Sequence, residues 1–174
     1  RDFIRRVNTA NPDTNAWARF ERSEIDAARF DALFATEAGA LGHALEGAAV
    51  LAVLSGAIRP AMVAALDRLA GEGYRLACIT NNVPTGHGAG MSRSKDRADI
   101  YEQVFARFEH TIESSKAGVR KPDPGIYLMM CEYLGLEPAR CVYLDDIGVN
   151  CKPAAALGMH AIKVVSGEQA LDDI

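Results

Sequence analysis

Three groups of side chains in this sequence have the types and spacing to do chemistry together. Thr80-Asn81-Asn82 closes the apolar run that begins at Arg75. A hydroxyl, two side-chain amides and the free backbone N–H groups of a loop suit a tetrahedral oxyanion, although an Asn-Asn pair serves equally well to make a turn or cap a helix. Lys121 stands in Lys121-Pro122-Asp123-Pro124-Gly125, where two prolines keep the lysine out of regular structure. An ammonium held rigidly in this way suits neutralising a phosphate, while a solvated loop lysine is the plainer reading of that residue taken alone. Asp145-Asp146 follows Val142-Tyr143-Leu144. Adjacent carboxylates at the mouth of a buried strand repel each other and lose hydration unless something cationic joins them. Hard oxygen donors of this kind suit Mg²⁺, which binds through one or two carboxylates plus substrate phosphate. The competing reading is an ordinary helix N-cap, which a single Asp would satisfy. Asn150 is placed a helical turn further on, where it could orient a carboxylate.

The elements that must position these groups fall into two regions. Residues 1–58 show helical spacing and no strand, with Phe20, Ile25, Phe30, Leu33, Phe34 and Leu41 at intervals of mostly three to five. Asn11-Pro12-Asp13 marks a turn, with Asp13 or Thr14 as the expected cap of the next helix. Trp17 and Phe20 read as core of this region. Gly47 to Ala57 reads as a buried helix and a hinge.

Over residues 59–174 helices and strands alternate. Pro60 opens a helix that Gly71 and Gly73 end. Arg75 to Thr80 and Cys141 to Leu144 read as strands buried on both faces. Further strands are expected at 108–112 and 160–165, with helices over 94–105, from the prolines to Tyr133, and over 150–157. Alternation of this kind implies right-handed crossovers and one parallel sheet with helices on both faces. In such a sheet ligands bind beyond the carboxyl ends of the strands, where Thr80 and Asp145-Asp146 lie.

Composition closes off other classes. The net charge of −4 is even, with 6 Lys/Arg against 8 Asp/Glu in residues 1–58 and 13 against 15 in the remainder. No basic stripe exists to meet a phosphate backbone, so nucleic acid is not an expected partner. The longest strongly apolar stretch, Gly47 to Ile58, has 12 residues, short of the roughly 20 that span a bilayer. No membrane partner is expected, and nothing reads as a signal peptide. Cys78, Cys131, Cys141 and Cys151 form no CxxC pair and read as reduced thiols of a cytoplasmic protein. His43, His110 and His160 read as structural and His87 as a loop residue.

The order Thr80, Lys121, Asp145-Asp146 resembles motifs two, three and four of the haloacid dehalogenase superfamily, subfamily IA. Ile79 to Asn82, Gly118 to Tyr127 and Leu144 to Ala154, with Leu157-Gly158-Met159 after them, are similar to the N-terminal phosphatase domain of soluble epoxide hydrolases. Trp17 to Ile25 resembles the helical cap of such proteins. The resemblance implies a Rossmann-like parallel-sheet core over 59–174 carrying a cap over 1–58. It implies a Mg²⁺-dependent phosphatase acting on a small phosphorylated substrate, by phosphoryl transfer to an aspartate and hydrolysis of the aspartyl-phosphate. Thr80 and Asn81 would bind the phosphoryl group, with Asn82 close by. Lys121 would stabilise its charge, Asp146 would ligate Mg²⁺, and Asp145 would support the site as a catalytic group or second metal carboxylate.

The family's first motif, an apolar strand ending in Asp-x-Asp, has no counterpart here. Asp2 has Ile4 where the second aspartate belongs, and Asp13, Asp26 and Asp31 lie in turn or helical patterns. The expectation is that this strand lies upstream of Arg1 and that these residues alone are inactive. Loss of a central strand exposes its neighbours' edges, which leaves a homo-oligomer open. Two other readings stand beside the phosphatase: an inactive phosphate- and metal-binding or interaction domain, and a metal-independent 2-haloacid dehalogenase. Asp145-Asp146 argues against the last, since its carboxylates would have no cation to serve.

Overall fold

The computed structural model describes residues 11–52, 57–86, 91–92 and 95–174. Expectations placed on Asp2, Ile4, His87 and the rest of the glycine-rich loop, and on residues 53–56, lie outside the described residues. In chain order the helices begin with α1 (Ala16–Glu21), α2 (Ala27–Ala40), α3 (Gly47–Leu51) and α4 (Pro60–Gly71). Strand β1 (Ala77–Thr80) follows, then α5 (Lys95–Phe105), β2 (His110–Glu113), α6 (Ser114–Ala117) and α7 (Pro124–Leu134). The chain continues with β3 (Val142–Asp145), α8 (Gly148–Ala156), β4 (His160–Lys163) and α9 (Gly167–Asp172). No described helix is long and apolar enough to cross a membrane.

The chain divides into two compact units. One gathers Arg1–Ala57, Asn81–Glu102 and Glu113–Arg120, and the other Ile58–Thr80, Gln103–Ile112 and Lys121–Ile174. In the first, α1 is capped by Asn15, whose side chain accepts the Ala18 N–H at 2.8 Å. That replaces the expected Asp13 or Thr14: the turn at Asn11 runs on to Asn15, and an extended Asn15 is the residue left in capping position. Asp26 caps α2 by accepting the Arg29 N–H. Phe20, Phe30 and Phe34 are fully buried, with Phe20 stacked on Phe30 at 4.6 Å and Trp17 edge-on to Phe30 at 5.4 Å. Gly47 opens α3 directly against this cluster, where a Cβ would lie 2.6 Å from the Phe30 ring.

The second unit holds the strands. β1 pairs with β2, and β3 pairs in parallel with β4 from Val142↔His160 to Asp145↔Lys163. The single sheet expected from the alternation is therefore two hydrogen-bonded pairs among the described residues. Strands not in direct contact share no ladder, so each pair stands as its own sheet. α7 starts at Pro124 behind an Asp123 cap and ends on Gly135 in the left-handed conformation. Its Ile126, Tyr127, Met130, Cys131 and Leu134 are buried, the three-four spacing of one helix face.

Several boundaries differ from expectation. β1 is half-buried throughout, and Val142 at the start of β3 is 58% exposed, so neither strand is covered on both faces. An unbroken apolar run does not distinguish a central strand from one that lacks a neighbour. Asp145 is the last residue of β3 rather than the first beyond it. Helix α8 begins two residues earlier than expected, at Gly148, and β4 ends at Lys163.

Candidate functional site

The end of β3 is organised around the Asp145 carboxylate, which is buried. Its Oδ1 accepts the Ile147 N–H at 2.7 Å, and its Oδ2 accepts the Tyr143 hydroxyl at 2.7 Å and the Lys121 ammonium at 2.9 Å. The Asn150 amide donates to both oxygens at 3.1 Å. Burial works to raise the Asp145 pKa, but the Lys121 charge and the bonds from Tyr143, Lys121 and Ile147 outweigh it and hold the carboxyl below its ordinary value. An ionised carboxylate is tolerated here because every lone pair has a donor.

Lys121 is largely buried, with its side chain 12% exposed. Besides Asp145 it donates to the Ile79 carbonyl at 2.8 Å, which ties the ammonium to the carboxyl-terminal end of β1 as well as to that of β3. The rigid approach is supplied by Pro122 and by the Asp123 cap of α7, which accepts the Gly125 N–H at 2.7 Å. Strand ends and a helix start thus fix a cation where an open sheet binds its ligand.

Asp146 is the opposite of its neighbour. It is exposed, its backbone carbonyl accepts from Lys163, and among the described residues its carboxylate takes no hydrogen bond. Neither aspartate caps α8, whose N-cap is Ile147 without a side-chain bond. The donor set gives a test for the expected Mg²⁺. Asp145 is fully engaged, whereas Asp146 offers an unencumbered hard oxygen donor. No group of three His, Cys, Asp or Glu residues forms a metal cage among the described residues. One carboxylate beside waters and a phosphate is a combination Mg²⁺ accepts, so the residues fit that ion with Asp146 as the ligand.

The other expected phosphate ligands separate. Thr80 ends β1, and its hydroxyl makes no hydrogen bond among the described residues. Asn81 is half-buried and follows it in the chain. Asn82 is buried in the first unit with both ends of its amide taken: Nδ2 donates to Glu113 at 2.8 Å, and Oδ1 accepts from Ser115 Oγ at 2.9 Å. Its backbone N–H donates to Ser114 Oγ at 3.1 Å. The expectation of Asn82 as a phosphate ligand therefore meets an amide already spent on holding this segment to α6.

Residues not singled out by sequence complete the site. Tyr143 reaches Asp145 because alternate residues of a strand share a face, a signal present in the spacing Tyr143-x-Asp145. Tyr127 donates its hydroxyl to the Asn150 carbonyl at 2.7 Å and lies edge-on to Tyr143 at 5.1 Å. Burial pushes the Tyr127 hydroxyl up to about 12 and raises that of Tyr143, to which the Asp145 contact adds. The Ile79 carbonyl and Ile147 N–H are backbone groups with no residue signature. All four cysteines are free thiols, Cys131 and Cys151 buried and Cys78 and Cys141 half-buried.

Comparison with known proteins places this geometry in context. The sequence model of the family described as haloacid dehalogenase-like hydrolase matches residues 1–158. A stretch of 115 residues, 66% of the chain, is 34% identical to acyl-CoA dehydrogenase family member 10 of Mus musculus and spans 10% of that protein. A stretch of the same length is 35% identical to bifunctional epoxide hydrolase 2 of Sus scrofa and spans 20% of it. The chain thus covers a fifth or less of these relatives. Among solved structures, a HAD family enzyme of Bacteroides thetaiotaomicron in complex with magnesium and inorganic phosphate superimposes with a TM-score of 0.60. The match covers 95% of this chain and 85% of that one at 18% identity, and it shares the fold.

Proposed function

The chain belongs to the haloacid dehalogenase-like hydrolase family, and from that premise we propose that its site serves a Mg²⁺-dependent phosphatase acting on a small phosphorylated metabolite. One observation carries the reading. A buried lysine ammonium is held between the ends of β1 and β3, and beside it stands one saturated and one unbonded aspartate. Lys121 would neutralise the phosphoryl oxygens, with Thr80 donating from the end of β1 and Asn81 beside it. Asp145 would keep Lys121 aimed. Asp146 would hold Mg²⁺, which when bound supplies charge neutralisation to the phosphate. The reaction in this reading is phosphoryl transfer to an aspartate followed by hydrolysis of the aspartyl-phosphate. The magnesium and phosphate of the Bacteroides thetaiotaomicron enzyme support the ligand classes.

The residues named handle the phosphoryl group and do not attack it. The sequence contains no Asp-x-Asp pair, which favours a second reading, a domain that binds phosphate and metal without hydrolysis. Hydrolysis of p-nitrophenyl phosphate with and without Mg²⁺ separates the two, run on this chain and on a longer protein that adds an apolar strand ending in Asp-x-Asp before it. Mg²⁺-dependent turnover in the longer protein supports the phosphatase. In that protein Lys121→Ala is expected to lose about 10²–10³-fold in kcat, the scale for removing one stabilising donor. Asp146→Asn is expected to raise the Mg²⁺ concentration needed for half-maximal rate. Silence from both proteins, with phosphate still bound, supports the binding domain.

A further inference from the structure

The site contains a polar group that the phosphatase reading leaves without a task, the Tyr143 hydroxyl. It donates at 2.7 Å to Asp145 Oδ2, the same oxygen that accepts Lys121 at 2.9 Å. A single carboxylate oxygen is thus shared by a cation and two neutral donors, the Tyr143 hydroxyl and the Asn150 amide. The Tyr143 ring is fixed from behind by Tyr127, edge-on at 5.1 Å, and the Tyr127 hydroxyl is anchored on the Asn150 carbonyl at 2.7 Å. Asn150 returns to both Asp145 oxygens through its amide. Tyrosine, carboxylate and amide therefore close a ring of contacts across β3, α7 and α8.

Sharing has an electrostatic consequence. The phenol takes one lone pair of Oδ2 and part of its charge, so Lys121 is held less tightly than it would be by a carboxylate it did not share. The hydroxyl fixes the carboxylate together with the Asn150 amide and the Ile147 N–H. Without it, Oδ2 has one donor fewer, and more of its charge falls on the ammonium and away from a ligand beyond the strand ends.

We propose that Tyr143 is a positioning residue, which sets through Asp145 how much of the Lys121 charge is presented to a phosphate. The proposal rests on the phosphate reading of Lys121, and its test separates the two. Inorganic phosphate is titrated calorimetrically, at constant Mg²⁺, into this chain and into Tyr143→Phe, Tyr127→Phe and Lys121→Ala variants, with a thermal melt of each. Tyr143→Phe keeps the ring and its packing and is expected to weaken phosphate binding about tenfold, on the scale of one hydrogen bond to a charged group. Tyr127→Phe loses its bond to the Asn150 carbonyl and its contact with the Tyr143 hydroxyl but leaves the Tyr143–Asp145 bond in place, and is expected to weaken phosphate binding less than Tyr143→Phe does. A purely structural tyrosine would lower the melting temperature in Tyr143→Phe and leave phosphate affinity unchanged, and that result overturns the proposal. Should Tyr143→Phe fail to fold, 3-fluorotyrosine at position 143 replaces it. Its phenol is a stronger donor and is expected to tighten phosphate binding, and an unmoved affinity again overturns the proposal. If Lys121→Ala binds phosphate as the unmodified chain does, the phosphate reading fails first and takes the proposal with it.

Discussion

The two units of this chain are held together by different physics. At the centre of the helical unit are three phenylalanine rings in contact, Phe20, Phe30 and Phe34, closed by a glycine at the start of α3. Among those rings shape decides what fits. The strand-bearing unit is organised at the end of β3 around a buried carboxylate that five donor contacts satisfy. A buried ion pair contributes little net stability, because desolvation offsets attraction, yet breaking one side of it is costly. The contrast teaches where to look for function. A core of rings explains itself by burial, whereas a cluster of charges that does not stabilise on balance is explained by what it holds in place.

The strongest test of that contrast is a matched pair of truncations. Phe30→Ala and Asp145→Ala are each expected to cost about 3–5 kcal/mol, the first through a cavity and the second by leaving Lys121 buried without its counter-charge. Equilibrium urea denaturation measures both. The difference appears on adding a second substitution. Asp145→Leu with Lys121→Met removes both charges and is expected to recover most of the lost stability while abolishing phosphate binding. Without that recovery, the network would be a stabilising core like the rings, and the distinction between the units would go.

A smaller effect tests the shape argument from the helical side. Gly47→Ala raises helix propensity by about 1 kcal/mol in α3. The added methyl, however, would meet the Phe30 ring at 2.6 Å, and the nearest backbone, at Asp31, at 3.1 Å. Overpacking is expected to win, with a net destabilisation of about 1–2 kcal/mol by the same measurement. A stabilised Gly47→Ala would mean that the ring cluster yields easily and is not tightly packed.

Much of this arrangement was legible in the sequence, and the residues show why. Lys121 and Asp145-Asp146 are distinguished by type and by their place beside prolines or at a strand end, and the structure brings Lys121 and Asp145 into contact. Helix starts at Pro60 and Pro124 were equally readable, since proline's fixed φ suits that position. Asn82 shows the limit. Its amide chemistry matches a phosphate ligand, but its partners lie 31 to 33 residues away in β2 and α6, and nothing local reveals them. Strand coverage was unreadable for a related reason: Val142 is apolar in either case, and its exposure depends on which strand lies alongside. The unequal roles of two identical neighbours, Asp145 and Asp146, follow from the strand's end: Asp145 is its last residue and is buried, whereas Asp146 lies just past it and is exposed.

Acid separates the units without mutation. The Asp145 pKa is lowered in the folded chain, the charge of Lys121 and three hydrogen bonds overcoming the effect of burial. Its contribution to stability is therefore fully present above the ordinary aspartate pKa of about 3.9 and is lost as pH falls through the lower folded value. In Asp145→Asn the acid-induced loss of stability between neutral pH and about pH 3 is expected to be smaller than in the unmodified chain. In Phe30→Leu the loss should be unchanged. Equal acid sensitivity in all three would assign the acid response to other carboxylates.

The smallest effect is expected at an ion pair that matches Lys121–Asp145 in contact distance but not in burial. Arg107 Nε donates to Asp67 Oδ1 at 2.7 Å and Nη2 to Oδ2 at 3.2 Å, a two-pronged contact that looks stronger than the single bond of Lys121. Both side chains are open to water, at 30% and 57% exposure against 12% and 6% for Lys121 and Asp145. Solvent and salt screen such a pair, and holding two long side chains together opposes what attraction remains. Arg107→Ala is accordingly expected to leave the urea midpoint unmoved at low and high salt, whereas Asp145→Ala lowers it under both. A loss at Arg107 as large as at Asp145 would show that geometry alone sets the strength of these pairs, and burial would no longer distinguish the charge cluster at the end of β3 from the charges on the surface.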